Sequence, residues 1–390
     1  SIYRLVIPIT ERTVVPLQRL VSGPGGDRIA MASPKSLSAV LDKQETLKLA
    51  ASLGISAPRS LLIQREEDVD EASKSLAMPL VVKPARSIGT DEVERKQLNV
   101  RYAFSRRELE TIVEEILRYG PVILQEYVQG AGLGVELIAN RGVVEFSFQH
   151  LRLHEVPLTG GGSSLRMSQH VEPKLLAAAR RLIAALDWHG VAMVEFKWDQ
   201  RSREYFLMEI NGRFWGSLPL AIAAGADFPL MLYELYDTGR IESRPAPKAG
   251  IYCRKLSADI SWYELVLRRE GPPELVGFPT RMELIRDWAR VLSLSHNFDV
   301  QHWRDPLPGI VDIARIAQTH LSRLMRAVNA KRLLFAQRLA WHRGIVRRSL
   351  RDARRILFVC YGNINRSPLA ERIFQHLVSD NLRIATSAGF

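Results

Sequence analysis

Between Val191 and Gly216 apolar residues alternate with others at a period of two, which predicts two β-strands joined by a polar hairpin at Asp199 to Glu204. In the first strand Val191, Met193, Glu195 and Lys197 share one face, and Ala192, Val194, Phe196 and Trp198 share the other. In the second, Leu207, Glu209, Asn211 and Arg213 are co-facial if the extended backbone continues to Arg213. One face would then carry several hard oxygen ligands and an arginine. Two strand carboxylates alone read more simply as a solvated sheet face. The same set also suits a magnesium–nucleotide site, where a few carboxylates hold the ion and phosphates complete its shell.

Upstream, Asp42-Lys43 opens a helical pattern (Leu47, Leu49, Ala50, Leu53) that ends at Gly54. Pro79–Pro84 reads as a short apolar strand carrying Lys83, and Val122–Val128 as another. Gly134–Leu137 follows it, then a strand-like run over Gly142–Gln149 and the stretch His150–Pro157. There His150, Arg152 and His154 share a face if the strand continues, ahead of the cluster Gly160-Gly161-Gly162. That loop reads either as a hairpin tip or as a phosphate and substrate loop. Leu218 to Leu235 reads as one helix, Ile251–Leu256 as a strand, and Trp262–Arg268 and Met282–Leu292 as helices.

These pieces, in this order, resemble the ATP-grasp superfamily over residues 36–245, with E-x-N-x-R at Glu209–Arg213 as the metal signature. The resemblance implies ATP and Mg²⁺ (or Mn²⁺) as cofactors. It places Glu195, Glu209 and Asn211 on the metal and Lys43 and Lys83 on the nucleotide phosphates. Glu126, Tyr127 and Val128 would form the adenine hinge, and Glu136 would bind the ribose. The loop Ala85–Thr90 stands where the family has a lid, with fewer glycines than the family pattern. The implied chemistry is phosphorylation of a carboxylate, with Arg152 and Arg213 neutralising the transferring group and the acyl phosphate until an amine attacks. A kinase acting on a hydroxyl, and a regulatory or membrane-associated protein that binds nucleotide only structurally, are the alternatives.

Composition adds three constraints. The chain has 390 residues and 46% hydrophobic content, enough for more than one core. Neither a signal peptide nor an apolar run of about 18 residues occurs, and with two cysteines a disulfide scaffold is excluded. A cytoplasmic protein is expected, peripheral to the inner membrane face if it binds lipid. The net charge of +12 is concentrated: twelve of the 54 Arg and Lys lie between Arg315 and Arg355 with one acid, Asp352, leaving 42 bases and 41 acids elsewhere. Ile313, Ile316, Leu321, Leu324, Val328, Phe335, Leu339 and Ile345 trace a helical stripe through that segment, interrupted near Lys331–Leu334 and at Gly344. An interdomain helix packed by its stripe, an anionic membrane surface and a nucleic acid are the readings, the last without any stacking platform to support it.

After this segment Arg355–Val359 is a buried-type strand running into Cys360-Tyr361-Gly362-Asn363-Ile364-Asn365-Arg366-Ser367, followed by a helix to about Ser379. Strand, C-x5-R-S loop and helix together make an anion cradle that lowers a thiol pKa. The stretch resembles the opening of a low-molecular-weight protein tyrosine phosphatase, which implies Cys360 as nucleophile and Arg366 as the phosphate ligand. Asn365 stands where that family usually has a second cysteine, and its general-acid aspartate would lie beyond Phe390. The chain thus reads as truncated at both ends, with negligible aryl phosphatase turnover expected.

The expected architecture is α+β and α/β. Residues 1–41 are the last part of a Rossmann-like domain, 42–245 an ATP-grasp domain and 246–312 a cap or C-terminal extension without assignable residues. Residues 313–355 are a basic helical linker, and 356–390 the first β-loop-α of a phosphatase-like domain. The partners are a small-molecule carboxylate and amine, with an anionic membrane at 313–355; oligomeric state is open.

Overall fold

A computed structural model describes residues 3–85, 100–199, 202–293, 295–342, 344, 348–349, 353–360, 366–377 and 383–389. The chain divides into two units, Ser1–Gly309 and Ile310–Phe390. In the first, α1 (Glu11–Leu17) and α2 (Pro34–Leu41) lead to α3 (Lys43–Ser52). Asp42 caps α3 by accepting from the backbone N–H groups of Gln44 and Glu45, which fixes where Lys43 stands. Gly54, at φ +62°, ends the turn in a conformation glycine tolerates.

A small layer follows: β1 (Ser60–Ile63), α4 (Asp68–Ser75), β2 (Leu80–Pro84), β3 (Arg101–Ala103), α5 (Arg106–Leu117) and β4 (Val122–Glu126). Its antiparallel sheet runs β1-β4-β2-β3. α5 buries Leu109, Ile112, Val113 and Ile116, one stripe at helical spacing, in a core shared with Leu80, Val82 and Leu124.

The large layer begins with β5 (Ala131–Asn140), β6 (Val143–Val156), β7 (Gly162–Gln169), α6 (Pro173–Ala185), β8 (Gly190–Asp199) and β9 (Glu204–Asn211). It continues through α7 (Leu218–Ala223), α8 (Phe228–Thr238), β10 (Tyr252–Arg254), α9 (Leu256–Arg268), α10 (Arg281–Ala289) and β11 (His296–Phe298). The seven strands run β11-β10-β7-β6-β5-β8-β9, parallel only between β10 and β11. The two faces differ. On one, Leu133, Val135 and Leu137 of β5 join Ala192, Val194 and Phe196 of β8 in a core with α6, Leu37 and Ala50. On the other, Ile138 and Val191 pack with Phe228 and Leu232 of α8, but the row continues as Glu136, Gly134 and Gly132 on β5 and as Glu195 on β8. That face changes from apolar to polar along its strands. The polar half is where a site can form.

Several sequence expectations change. The pairing shifts between Glu195 and Phe196, so Glu195 faces Glu209 while Phe196 faces Leu207. This β-bulge at Met208 turns Leu207 into the apolar core, away from Glu209 and Asn211. The strand stops at Asn211, so Arg213 lies past its end. The stretch Leu218–Leu235 is two helices, parted at Gly225 (φ +96°) and restarted by Asp227 capping Leu230. Within the segment 246–312, expected as a cap or C-terminal extension, β10 and β11 extend the large sheet.

In the second unit α11 (Pro306–His342) enters as one helix of 37 residues, continuous through Lys331–Leu334 where an interruption was expected. Beyond it lie β12 (Arg355–Cys360), α12 (Arg366–Leu377) and β13 (Ile384–Gly389), the two strands pairing in parallel. Among the described residues no helix is long and apolar enough to cross a membrane.

Gly212 sits between Asn211 and Arg213 because a Cβ there would lie 2.5 Å from the ring of Trp188, which is fully buried. Gly212→Ala should therefore destabilise the first unit by about 1–3 kcal/mol through overpacking, read as a lower urea midpoint at unchanged slope. An unaltered midpoint would contradict the packing described.

Candidate functional site

Glu195 and Glu209 are direct cross-strand partners on β8 and β9. Like charges so placed repel unless something intervenes. Asn211 intervenes on one side, its Nδ2 donating to Glu195 Oε1 at 2.9 Å and to Glu209 Oε1 at 3.1 Å. On the other side Arg152 of β6 brings Nη2 to 2.5 Å from Glu195 Oε2. Arg152 must cross β5 to get there, and Gly132 makes room: a Cβ would lie 2.9 Å from Arg152 Cδ. At Gly134 a Cβ would collide with the His150 ring in the same way. The two glycines remove one row of side chains, and the residues of β6 fill the space.

Burial pushes the Glu195 carboxyl up, against the pull of Arg152 and with help from the charge of Glu209. Burial acts on Glu209 too, but Lys43, the Asn211 hydrogen bond, Lys83 and Arg152 outweigh it and hold this carboxyl below its usual range. The lysines behave oppositely. Lys83 is lowered to about 8, first by burial and then by the charge of Lys43. Lys43 is lowered by burial, with Glu209 and Glu11 opposing.

Lys43, Lys83, Glu209, Asn211 and Arg213 line one cavity of about 320 Å³, closed on its apolar side by Val14 and Val15 of α1 and Leu37 and Val40 of α2. Lys83 Nζ donates to Gln125 Oε1 at 2.7 Å, and Lys43 Nζ to the Pro84 carbonyl at 3.5 Å. Arg213 donates through Nη2 to Glu11 at 2.9 Å and through Nη1 to the Phe214 carbonyl at 3.0 Å. Glu11 also lines the cavity, and the sequence pattern offered nothing to single it out. Glu195 and Arg152 join the cavity group through the contacts above.

The hinge residues lie elsewhere. Glu126 pairs across from Leu80, three pairs along β2 from Lys83 and Ile123, roughly 10 Å at strand spacing. Its carboxylate accepts from the Ala77 N–H at 3.2 Å, and Arg59 lies 3.5 Å away. Tyr127 meets Tyr102 edge to face and donates to the Leu275 carbonyl at 3.4 Å; Val128 follows it, half-buried. Glu136, read as a ribose ligand, is instead fully buried: its Oε1 bonds His150 Nδ1 and accepts from Ser217 at 3.3 Å. Glu136 Oε2 and His150 Nε2 are buried with no hydrogen-bond partner. This Glu–His pair was not legible as such; the alternate glycines 132 and 134 were the available signal.

His154 leaves the row of His150 and Arg152, because pairing shifts on either side of it break the alternation. Its ring stacks on Trp262 at 3.5 Å and its Nδ1 contacts Asp259 Oδ1 at 2.8 Å, in a buried cluster with Arg254, Asp287 and Tyr263. The loop carrying Gly160 and Gly161 is tied down by Tyr102, which donates to the Thr159 carbonyl at 2.8 Å, and by Arg152, which donates to the Gly161 carbonyl at 3.3 Å. The lid residues 86–90 lie outside the described residues.

Among the described residues no three His, Cys, Asp or Glu side chains gather into a metal cluster. Two carboxylates and one amide fit a hard cation that retains water and ligand oxygens, Mg²⁺ above all. In the second unit Cys360 ends β12, Arg366 opens α12, and Ser367 Oγ donates to Cys360 Sγ at 2.9 Å. Residues 361–365 of that loop lie outside the described residues. Cys253, the other thiol, is buried and pushed up first by burial and then by Asp299, a packing role.

Residues 118–258 match the family model described as ATP-grasp in the biosynthetic pathway with Ter operon, and residues 355–390 that of the low molecular weight phosphotyrosine protein phosphatases. The D-alanine–D-alanine ligase of Carboxydothermus hydrogenoformans is 24% identical over 191 residues, 45% of this chain and 59% of that protein. That of Chromohalobacter salexigens is 26% identical over 211 residues, 51% of this chain and 65% of that protein. The structure of a biotin carboxylase–β,γ-ATP complex from Campylobacter jejuni shares the fold, with a TM-score of 0.52 at 14% identity over 64% of this chain and 58% of that one. The chain spans less than two thirds of the length of these relatives.

A buried, charged Lys83 costs stability at neutral pH. Its lowered pKa means that the cost is full below about pH 8 and fades as pH rises from there toward 10.5. Lys83→Met should stabilise the protein at pH 7 by about 1–2 kcal/mol, the lost Gln125 hydrogen bond being deducted. The gain should shrink at pH 9.5. Urea unfolding at both pH values measures it, and a variant less stable at pH 7 would contradict the electrostatics described.

Proposed function

From the premise that the chain belongs to the ATP-grasp superfamily, we propose that it is a ligase that activates a small-molecule carboxylate as its acyl phosphate for attack by an amine. The observation that carries this reading is the polar half-face: Glu195, Glu209 and Asn211 bound to one another beside a cavity lined by Lys43, Lys83 and Arg213. The curated relatives named as ligases support it.

Glu195, Glu209 and Asn211 would hold Mg²⁺ or Mn²⁺, which when bound supplies charge neutralisation to the phosphates of ATP. Lys43 and Lys83 share that task as fixed cations, already desolvated and so stronger partners for a phosphate oxygen. The hinge at Glu126–Val128 stands far enough from Lys83 for an extended nucleotide to reach from one to the other. Arg213, held by Glu11, and Arg152, held by Glu195, flank the cavity with guanidinium groups that can stabilise the transferring phosphoryl and the acyl phosphate. His150, hydrogen-bonded to buried Glu136 and with its own buried Nε2 unpartnered, is the candidate base for the attacking amine. In this reading Glu136 acts through His150.

In the second unit, we read the Cys360 thiol, hydrogen-bonded by Ser367 at the start of α12, with Arg366, as an oxyanion-binding pair.

The test is ATP consumption against a panel of carboxylates and amines, with ADP and AMP distinguished. ADP release dependent on an acid, and a hydroxamate when hydroxylamine replaces the amine, are expected. A phosphorylated hydroxyl without hydroxamate would make the protein a kinase, and nucleotide binding without turnover would make the site structural. Glu209→Gln should lower turnover on the order of 10²-fold or more with unchanged unfolding. His150→Ala should lower amine-dependent turnover and spare nucleotide affinity, whereas equal loss of both would remove His150 from the mechanism.

A further inference from the structure

The second unit carries a surface that the site does not use. Along α11, Ile310, Ile313, Leu321, Leu324, Phe335 and Leu339 are each between 41% and 69% exposed. At 100° per residue these six fall within an arc of about 80°, on a helix about 55 Å long. An apolar surface that long on a folded protein marks an interaction site.

Charge selects the partner. α11 holds six Arg and Lys and one acid, Asp312, and six more arginines follow between residues 343 and 355. Lys331, Arg332 and Arg338 stand at the two borders of the apolar arc, where long side chains can lie along an apolar surface and keep their charges in water. Arg315, Arg323 and Arg326 project from the far side. A helix is about 10 Å across, close to the Debye length at physiological salt, so even these remain within reach of a charged plane beneath the stripe. A nucleic acid would satisfy the cations and leave the stripe in water. A second copy would cover the stripe and bring two sets of cations together. An anionic bilayer satisfies both features, and no described helix is apolar enough to cross it.

We propose that α11 docks this protein on an anionic lipid surface, lying in the interfacial plane with its apolar stripe among the acyl chains. The partner chemistry is a lipid bilayer rich in acidic head groups. The inference stands apart from the ligase reading, since no cavity residue takes part.

Flotation of the full chain with phosphatidylcholine vesicles, with and without about a third phosphatidylglycerol, tests it. Binding at least about tenfold tighter to the acidic vesicles, and lost near 0.5 M NaCl, is expected. Replacing Lys331, Arg332 and Arg338 together by Gln should weaken it at least about tenfold, and so should Leu324→Ser with Phe335→Ser, far-UV circular dichroism being unchanged. Failure of the intact chain to float with acidic vesicles at low salt would overturn the proposal without touching the ligase reading. So would binding that survives the Leu324/Phe335 change, which is the signature of charge alone and of a nucleic-acid partner. Sedimentation showing self-association that this change abolishes would assign the stripe to a second copy instead.

Discussion

Two half-buried carboxylates placed directly across from each other are the constraint around which the first unit is arranged. Glu195 and Glu209 cannot share a low-dielectric face unless cations and donors surround them. Arg152, Lys43, Lys83 and Asn211 do so from four different elements, and each needs its own structural device. The cap at Asp42 places Lys43, the apolar strand β2 carries Lys83, and Gly132 clears a path for Arg152. The bulge at Met208 aims Glu209 and Asn211 at Glu195 while sending Leu207 into the core.

The balance is unequal. Glu209 keeps its charge in this company, whereas burial and its neighbour's charge push Glu195 toward its protonated form despite Arg152. Lys83 is strained in the same sense, a buried cation hydrogen-bonded to an amide oxygen and lowered by burial despite the charge of Glu209. Sites of this kind are poised for a ligand that carries charge of both signs, which under the proposed function is a polyphosphate with its cation.

What could be read in the sequence was what repeats locally. The period-two alternation from Val191 to Trp198 placed Glu195 on the face it occupies, and the helix opening at Asp42 needed only its cap and Gly54. The bulge at Met208 leaves no glycine or proline to betray it, so Leu207 was assigned to the wrong face. β10 and β11 have three residues each, too few for a period to show. Glu136 matched a motif by position, but its burial depends on His150, fourteen residues away across a strand pair. The long helix was legible as a stripe; its continuity through Lys331–Leu334 was not, because Leu333 and Leu334 fall off that stripe, although Lys, Arg and Leu are all good helix formers.

The contact between Glu11 and Arg213 joins residues 202 positions apart. It closes one wall of the cavity from α1, beside Val14 and Val15 of the same helix. Contacts so distant in sequence are paid for late in folding, after shorter loops have closed. That wall rests on α1, a helix of seven residues. Its fraying would therefore open the site from one side without disturbing the carboxylates. Arg213 would then lose the carboxylate that holds it, while Glu195 and Glu209 keep Arg152 and Asn211 beside them.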